Sequence, residues 1–288
     1  MTIRNPVEWG ADQMKLAGTA LGSAGRAVGE TGQDESAALP EIRRIAAHDL
    51  HIALRKGLDD FRTYRTDVMV LCIIYPLVGL LLARVAFGYD LLPLLFPLAS
   101  GFSLIGPIAA IGLYEMSRRR EQGIENVALP DALSVVRSPG FGAIFALGAL
   151  LFAIFLLWLT AAMGLYNLTL GPKPPESIEA FATSVFTTTP GWILIAAGMG
   201  VGFLFALLVL AISVVSFPLL LDRSVPMRTA IATSMRAVAV NPGPMALWGL
   251  IVAGGLLIGS IPLLLGLIII VPILGHATWH LYRRVVGR

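Results

Sequence analysis

The stretch FGAIFALGALLFAIFLLWLTAAM, Phe141–Met163, determines the class of fold. None of its residues is charged, and it is long enough for a helix to cross the hydrocarbon core of a bilayer, which takes about 20 mostly apolar residues. A helix also satisfies its own backbone hydrogen bonds, as the hydrocarbon requires. The polar and apolar alternation typical of a transmembrane strand is missing here. The stretch therefore predicts a transmembrane α-helix.

Five further uncharged apolar runs extend this prediction to a polytopic membrane protein. Hydrophobic residues make up 56% of the 288 residues and charged residues only 14%, whereas soluble domains carry about 25% charge. We predict an all-α bundle of six transmembrane helices over residues 48–288, behind a largely disordered or weakly helical leader at 1–47. The five runs are Val68–Ala83, Leu91–Leu113, Trp192–Leu221, Met245–Gly259 and Ile261–Gly275, with a tight turn predicted between the last two.

The basic residues predict the orientation of the chain. If six spans alternate, only Arg84 and Lys173 of the 21 Lys and Arg residues fall on one side, and all others fall on the opposite side. The positive-inside rule then places both termini in the cytoplasm of a bacterial inner membrane. The same charges predict attraction to anionic lipid head groups. They do not indicate nucleic-acid binding, because no basic and aromatic surface of the required kind is present.

Three amphipathic stretches, each before a pair of spans, predict cytoplasmic surface helices. In the first, Leu50, Leu54, Leu58 and Phe61 share one helical face, and Asp60 is assigned to the other faces. We expect such helices to lie in the membrane interface with the apolar face towards lipid. The second stretch is Pro130–Val136, the third is Met227–Val240 with Ala230, Ile231, Met235 and Val238 on one face, and a further short helix is predicted on the opposite surface around Ile178–Phe186.

Spans two and six resemble each other in sequence. Pro107 aligns with Pro272, and Arg118 aligns with Arg283 at the same spacing. We interpret this as a threefold internal repeat, each unit containing a surface helix and a helical hairpin. The alternative is chance resemblance, because apolar helices share a small set of residue types.

Four histidines are the candidate metal ligands. His276 and His280 are one helical turn apart, as are His48 and His51, so the rings of each pair leave one helical face. All four are predicted at the cytoplasmic side and could meet around an ion. The spacing is that of helical metal-binding motifs, but it is common by chance. Metal binding therefore stays open, and no cofactor and no catalytic residue is predicted.

The favoured interpretation of His276 and His280 is that they mark the end of the last span. Trp279 and Tyr282 then belong to the aromatic belt at the membrane interface, and Arg283 and Arg284 extend into the head groups.

The predicted spans contain little polar chemistry. Their cores lack Asp, Glu, Lys and Arg, which disfavours a proton-coupled carrier. Glu115 is expected to be neutralised by Arg118 and Arg119, and Asp222 by Arg223. The single cysteine, Cys72, allows neither a disulfide framework nor a cysteine zinc site. Prolines 76, 97, 107, 218 and 272 are expected to interrupt helices, and glycines 198, 200, 202, 254 and 255 to mark close helix packing.

Several motifs resemble a bacterial inner-membrane protein family classified only as a domain of unknown function. They are LRKGLDDF (54–61), IGPIAAIGLYEMSRRREQG (105–123), SFPLLLDRSVPMRTAIATSMRAVAVNPGPM (216–245) and VPILGHATWHLYRRVV (271–286), and the resemblance covers His48–Val286. Some members are labelled putative cytochrome c oxidase subunit I. The catalytic subunit of that name binds haems and copper through membrane-embedded histidines on many more helices. This chain has four histidines, none within a predicted span core, which excludes that catalytic role.

The sequence therefore favours a function based on contact. We predict a non-enzymatic accessory, scaffold or assembly subunit of a membrane complex, which could be respiratory. Its expected partners are the lipid bilayer, anionic head groups and other subunits. A channel or carrier for a small neutral or lipid-like solute is the alternative. A third hypothesis is a metal- or haem-binding redox subunit at the four histidines.

Overall fold

The computed structural model describes residues 39–88, 91–104, 110–124 and 127–287. Within these ranges the regular structure is helical, apart from one isolated β-bridge between Ile42 and Val286. The predicted all-α class is confirmed. Residues 1–38, which form most of the predicted leader, lie outside the described residues.

The described helices follow one another along the chain with short connections. They are α1 (Ala47–Thr63), α2 (Arg65–Cys72), α3 (Ile74–Gly88), α4 (Leu95–Leu104), α5 (Ile111–Glu121), α6 (Leu129–Leu133), α7 (Phe141–Thr169), α8 (Ile178–Thr187), α9 (Thr189–Ser213), α10 (Ser216–Asp222), α11 (Met227–Val240), α12 (Pro242–Ser260) and α13 (Leu267–Val285). Helix α8 confirms the short helix predicted around Ile178–Phe186.

Three of these helical segments are long and apolar enough to cross a membrane. They are α7, the α9–α10 pair over Thr189–Asp222, and α12. A fourth is added if α1 and the helical stretch Asp67–Leu82 count as one span, although a bend of 102° separates them. The predicted six spans are therefore not confirmed. The threefold repeat also stays a prediction, because Pro107 lies outside the described residues.

Two prolines account for interruptions in the helices. A proline removes the hydrogen bond to the carbonyl four residues earlier. Pro76 thus releases the carbonyl of Cys72, where α2 ends, and Pro218 releases that of Val214, where the chain breaks between α9 and α10. Pro272, in contrast, stays inside α13. The expected interruptions are confirmed at the first two sites.

Helix α13 is the central helix of the described fold, and α1 packs along it. Helix α13 also contacts α2, α3, α5, α10 and α12. The close approach of α1 depends on Gly57, where an added Cβ atom would lie 2.6 Å from the backbone nitrogen of Ala277. Ala53 and Asp60, on the same side as Gly57, are also buried.

The predicted contact of the apolar face of α1 with lipid is therefore wrong, because Leu50 and Phe61 of that face are buried in the protein. Its buried face contacts a protein helix, because a glycine allows two backbones to approach more closely than two leucines would. Asp60, which the apolar pattern assigned to the outer faces, belongs to the buried face.

Helix α11 has the predicted bounds but buries a different face. The buried residues are small: Ala230, Thr233, Ser234 and Ala237. Met235, predicted on the apolar face, is 52% exposed. The Ser234 hydroxyl explains part of this orientation, because it accepts a hydrogen bond from the Val215 N–H at the break between α9 and α10, at 3.2 Å.

The first and last described segments meet at one end of the fold. The N–H of Arg43 donates to the Val285 carbonyl at 2.8 Å, and the N–H of Gly287 donates to the Glu41 carbonyl at 3.0 Å. The Asn241 side chain, at the start of α12, accepts from the Ile45 N–H at 2.8 Å. We call this the charged end, because the ion pairs described below also lie there.

The contact at Gly57 generates the first prediction. Gly57→Ala should lower the unfolding free energy by about 2 kcal/mol, because the new methyl group meets backbone atoms of α13 that cannot move aside locally. Gly164→Ala in α7 is the matched control: no heavy atom lies within 4 Å of its added Cβ, and alanine is favoured in helices by up to about 1 kcal/mol. Thermal unfolding in one detergent measures both. Equal melting temperatures for the two variants would contradict the packing described.

Candidate functional site

A buried polar cluster joins α1, α5 and α13. It consists of Asp60 from α1, Ser117 and Arg120 from α5, and His276 and His280 from α13. We call these five residues the Asp60 cluster. Asp60, Ser117 and His276 are buried, whereas His280 and Arg120 are partly exposed.

Both carboxylate oxygens of Asp60 have partners. Oδ2 accepts the Ser117 hydroxyl at 2.6 Å and lies 2.8 Å from Nε2 of His280. Oδ1 accepts Nη1 of Arg120 at 2.5 Å. The other amino group of Arg120 donates to the neighbouring Asp59 at 3.0 Å. A buried carboxylate is stable only with such compensation, and here it comes from two other helices.

The partners of Asp60 keep it ionised. Burial raises the pKa of Asp60. The hydrogen bond and charge of His280 and the hydrogen bond from Ser117 lower it by more, so the net pKa lies below the ordinary value of 3.8. The pKa of Arg120 responds in the opposite sense: burial lowers it, and the bonds to Asp60 and Asp59 raise it above the ordinary value. The pair therefore carries full opposite charges near neutral pH.

His276 extends the hydrogen-bonded chain into the protein interior. Its Nδ1 lies 2.7 Å from the Ser117 hydroxyl oxygen. Since Ser117 donates its only proton to Asp60, the neutral imidazole must donate from Nδ1, which leaves Nε2 unprotonated. Burial lowers the pKa of His276 to about 4, although the Asp60 carboxylate opposes this shift. His276 is therefore a neutral group next to an ion pair.

A second group of ion pairs surrounds Arg283 near the end of α13. Arg283 donates to Glu121 at 2.9 Å and to Asp222 at 3.1 Å, and its guanidinium lies 5.8 Å from the ring centroid of Trp279. The Trp279 indole N–H donates to Glu121 at 3.1 Å, and the Tyr282 hydroxyl donates to Asp222 at 2.6 Å.

These contacts correct the prediction of an aromatic belt. Trp279 and Tyr282 are buried in the protein. Arg283 and Arg284 bind carboxylates of the chain itself, since Arg284 pairs with Asp49 on α1 at 3.3 Å. The pattern Trp-x-x-Tyr-Arg-Arg was misassigned because a polar helix end that packs on acidic neighbours has the same composition as one that meets head groups.

The third group confirms the predicted neutralisation of Glu115. This buried carboxylate accepts from Arg118 and Arg119, each at 2.7 Å. Arg119 also donates to Asp131 at 2.6 Å and to Ser134 at 2.9 Å, which connects α5 to α6 and the turn after it.

Helix α5 is the common element of all three groups. Successive residues of a helix point about 100° apart, so the run Ser117–Glu121 presents polar side chains in several directions. Ser117 and Arg120 reach α1, Arg119 reaches α6, and Glu121 reaches α13. A dense charged sequence is thereby distributed among separate neighbours.

The structure brings together only one of the predicted histidine pairs. His276 and His280 both adjoin Asp60, whereas His48 and His51 are exposed nearer the start of α1, at about 18 and 14 Å along the helix from Asp60. Within the described ranges, no group of three or more His, Cys, Asp or Glu residues could hold a metal ion.

The chemistry available to the Asp60 cluster is structural. Ser117 adjoins both a histidine and a carboxylate, but it lies between them and is buried, so its hydroxyl is not presented to a substrate. The cluster holds the three helices together: if Asp60 or its charged partner Arg120 is removed, the other is left without its counter-charge. Sequence reasoning missed Asp60. Its position three residues after Gly57, on the side that Gly57 packs, is the signal that could have indicated its burial.

The pairing of Asp60 predicts a large effect of a small substitution. Asp60→Asn should lower the unfolding free energy by about 3 kcal/mol or more, because Arg120 then loses its buried counter-charge. Asp59→Asn is the matched control on the adjacent, exposed residue and should cost under about 1 kcal/mol. Chemical unfolding followed by tryptophan fluorescence measures both. A cost for Asp60→Asn no greater than the control would contradict the role assigned to the cluster.

The low pKa of His276 predicts acid sensitivity. The folded state keeps this ring neutral down to about pH 4, whereas the ordinary pKa is 6.5. Stability is therefore complete above pH 6.5 and should fall by roughly 3 kcal/mol as the pH decreases to 4. The lowered pKa of Asp60 acts in the same direction. His276→Asn should flatten the pH profile of the melting temperature, and His51→Asn should leave it unchanged. Parallel profiles for wild type and His276→Asn would be inconsistent with a buried neutral ring.

A comparison of the sequence with models of known protein families gives a match to one family. The model of the DUF2189 family, described as a predicted integral membrane protein, matches residues 95–222. The match runs from α4 to α10 and includes α5, but it is narrower than the predicted resemblance and contains neither Asp60 nor His276. No curated protein and no solved structure matches the chain. Residues 95–222 thus match DUF2189, and the predicted resemblance to a membrane-protein family classified as a domain of unknown function is confirmed.

Proposed function

We propose that this integral membrane protein is a non-enzymatic accessory, scaffold or assembly subunit that binds a transmembrane helix of another subunit. The observation that carries the proposal is an unpartnered stripe along α9. The proposal also retains the predicted location in a bacterial inner membrane with both termini in the cytoplasm.

The stripe repeats every three to four residues, which is the spacing of one helix face. Its large members are well exposed, with Phe203 at 66% and Leu204 at 63%. Ala196 and Gly200, four residues apart, are also exposed and form a notch between the larger side chains. The α9 stripe consists of Trp192, Ile193, Ala196, Met199, Gly200, Phe203, Leu204, Leu207 and Leu208.

Some of the glycines predicted to mark close helix packing contact another helix of this chain, and others do not. Gly202 packs against Trp158, and Gly255 packs against Ile270, as predicted for close helix packing. The same prediction is wrong within this chain for three others: an added Cβ would meet no heavy atom within 4 Å at Gly198, Gly200 or Gly254.

A helix fits this notch better than lipid chains alone do. Two small residues four apart allow the backbone of a second helix to approach closely, which increases van der Waals contact in a solvent where apolar burial gives little gain. Trp192 and Phe203 flank the notch and would pack beside the incoming helix. The partner is accordingly an apolar helix of another subunit, with a second copy of this chain as one outcome of the test.

The polar clusters support a role without catalysis. Asp60, Glu115 and Arg283 all have partners within the chain, which leaves them committed to holding helices together. The clefts described for the chain are small and at its surface, and neither Pro218 nor Pro272 lines them. No observation comparable to the α9 stripe favours the channel or carrier alternative.

The charged end supports the proposed orientation. The first and last described segments meet there, so they lie on the same side. Arg118, Arg119, Arg120 and Arg283 lie at this end as well, and the positive-inside rule assigns such an end to the cytoplasm.

The α9 stripe can be tested by site-specific cross-linking in native membranes. A photoreactive amino acid at Met199 should yield a discrete product with another membrane protein. Gly200→Leu should abolish that product, because the new side chain fills the notch, while the melting temperature stays unchanged since nothing in the chain is displaced. Gly254→Leu is the matched control, an equally open glycine on α12, and should leave the product intact.

Each outcome of that experiment decides the proposal. A product of one defined mass that depends on Gly200 supports an accessory subunit. A product with the mass of two copies replaces the foreign subunit with self-association. Lipid adducts alone, or a product unaffected by Gly200→Leu, would overturn the assignment of α9 as the contact helix.

A further inference from the structure

We propose that the turn between α12 and α13 ends inside the hydrocarbon of the bilayer, with lipid acyl chains as its partner. The α12–α13 hairpin then enters and leaves the membrane on the cytoplasmic side, without reaching the opposite surface. We call residues Ile261–Gly266 the hairpin tip. This inference concerns a different part of the molecule from the α9 stripe and does not depend on the proposed function.

The side chains of the hairpin tip are apolar, and except for Leu264, which packs against α3 at Gly79, the large ones are exposed. Ile261 and Leu263 are each 76% exposed, and Leu265 is 57% exposed. No polar side chain occurs from Ile261 to Gly275. Loops that face water carry turn formers such as Asn, Asp and Ser, so an exposed turn made of Ile, Pro, Leu and Gly is suited to an apolar solvent.

The N–H groups of Ile261, Leu263, Leu264 and Leu265 in the hairpin tip donate to nearby carbonyls of the chain. The N–H groups of Leu263, Leu264 and Leu265 donate to carbonyls within the same turn, at 2.9, 3.1 and 3.0 Å. Pro262 has no N–H, and the Ser260 hydroxyl donates back to the Leu256 carbonyl at 2.8 Å. Hydrocarbon offers no hydrogen-bond partner, so a turn within it must be self-sufficient in this way.

The backbone conformation of the tip points the same way. Leu263 and Leu264 have φ values of 50° and 67°, in the left-handed region. Glycine or asparagine would adopt this conformation at a lower energetic cost than leucine does. At Leu263, which is exposed, the strain is explained by the gain from placing leucine in lipid, whereas the Leu264 side chain packs against α3 at Gly79.

The depth of the tip can be measured from the level of Asp59 and Asp60, which lies about 13 Å along α13 from the charged end, since His276 precedes Val285 by nine helical residues. Asp59 is 65% exposed and forms an ion pair with Arg120, so this level lies in water or among head groups. Asp60, the next residue, lies beside His276 on α13, so His276 is at the same depth as Asp59. Only nine residues, Leu267–Gly275, lie between this level and the tip, which is about 13 Å of helix. The hydrocarbon is about 30 Å thick, so the tip lies near its middle.

A comparison of helix lengths gives a consistent result. Helix α7 begins at the charged end, where Gly140 abuts the Leu220 carbonyl, and helix α12 begins there too, at Asn241. The 29 residues of α7 extend about 43 Å, whereas the 19 residues of α12 extend about 28 Å. The tip therefore lies roughly 15 Å short of the far end of α7.

Single-cysteine labelling tests this depth. Cys72, the only cysteine, is first replaced by serine, and Leu263→Cys or Leu265→Cys is introduced in separate variants. In proteoliposomes, a membrane-impermeant maleimide should fail to label either tip cysteine from either side, and it should label Glu176→Cys in the exposed loop before α8. A nitroxide at Leu263→Cys should be accessible to oxygen and inaccessible to a water-soluble nickel complex.

The outcomes separate the two arrangements of the hairpin. Protected tip cysteines with high oxygen accessibility support a tip within the hydrocarbon. Labelling of Leu263→Cys and Leu265→Cys from the same side as Glu176→Cys would mean that the hairpin crosses the membrane twice, and it would overturn the proposal. A melting temperature equal to that of the Cys72→Ser parent establishes that each variant is folded.

Discussion

The buried carboxylate of Asp60 is the constraint on which the rest of the structure depends. A charge in a protein interior is tolerated only if it is paired and hydrogen-bonded. Here the pairing groups come from α5 and α13, while the charge itself comes from α1. The three helices must therefore converge at one point, and Gly57 on α1 supplies the space for that convergence.

Polar and apolar contacts occupy different regions along the length of the fold. At the charged end, ion pairs from α5 connect α1, α6 and α13, and the two described terminal segments close the structure. Away from that end, α9 and α12 present large apolar side chains outward. The first region fixes the arrangement of the helices, and the second is where lipid or other helices can bind. The proposals for α9 and for the hairpin tip both concern this second region.

The sequence predicted the features that depend on composition and spacing. Phe141–Met163 was predicted to be a membrane helix because its side chains are apolar and a helix satisfies its own backbone hydrogen bonds in hydrocarbon, and α7 contains this stretch. The breaks at Pro76 and Pro218, and the pairing of Glu115 with Arg118 and Arg119, followed from local chemistry.

Features that depend on which helices meet were not accessible from the sequence. A helix face chosen by apolar residues alone assigned Asp60 to solvent, because its partners Ser117 and His276 are distant in sequence. Trp279 was assigned to the membrane interface for the same reason, since its acceptor Glu121 is on another helix. The six-span count rested on run length, which does not distinguish a crossing from a hairpin that turns back.

The most direct test of the role of Asp60 is a double-mutant cycle with Arg120. The unfolding free energies of Asp60→Asn, Arg120→Gln and the double variant, measured in one detergent, isolate the coupling between the two helices. We expect the double variant to lose less stability than the sum of the single variants, with a coupling of about 1.5 kcal/mol or more. Additive losses, with a coupling near zero, would mean that this ion pair does not hold α1 to α5.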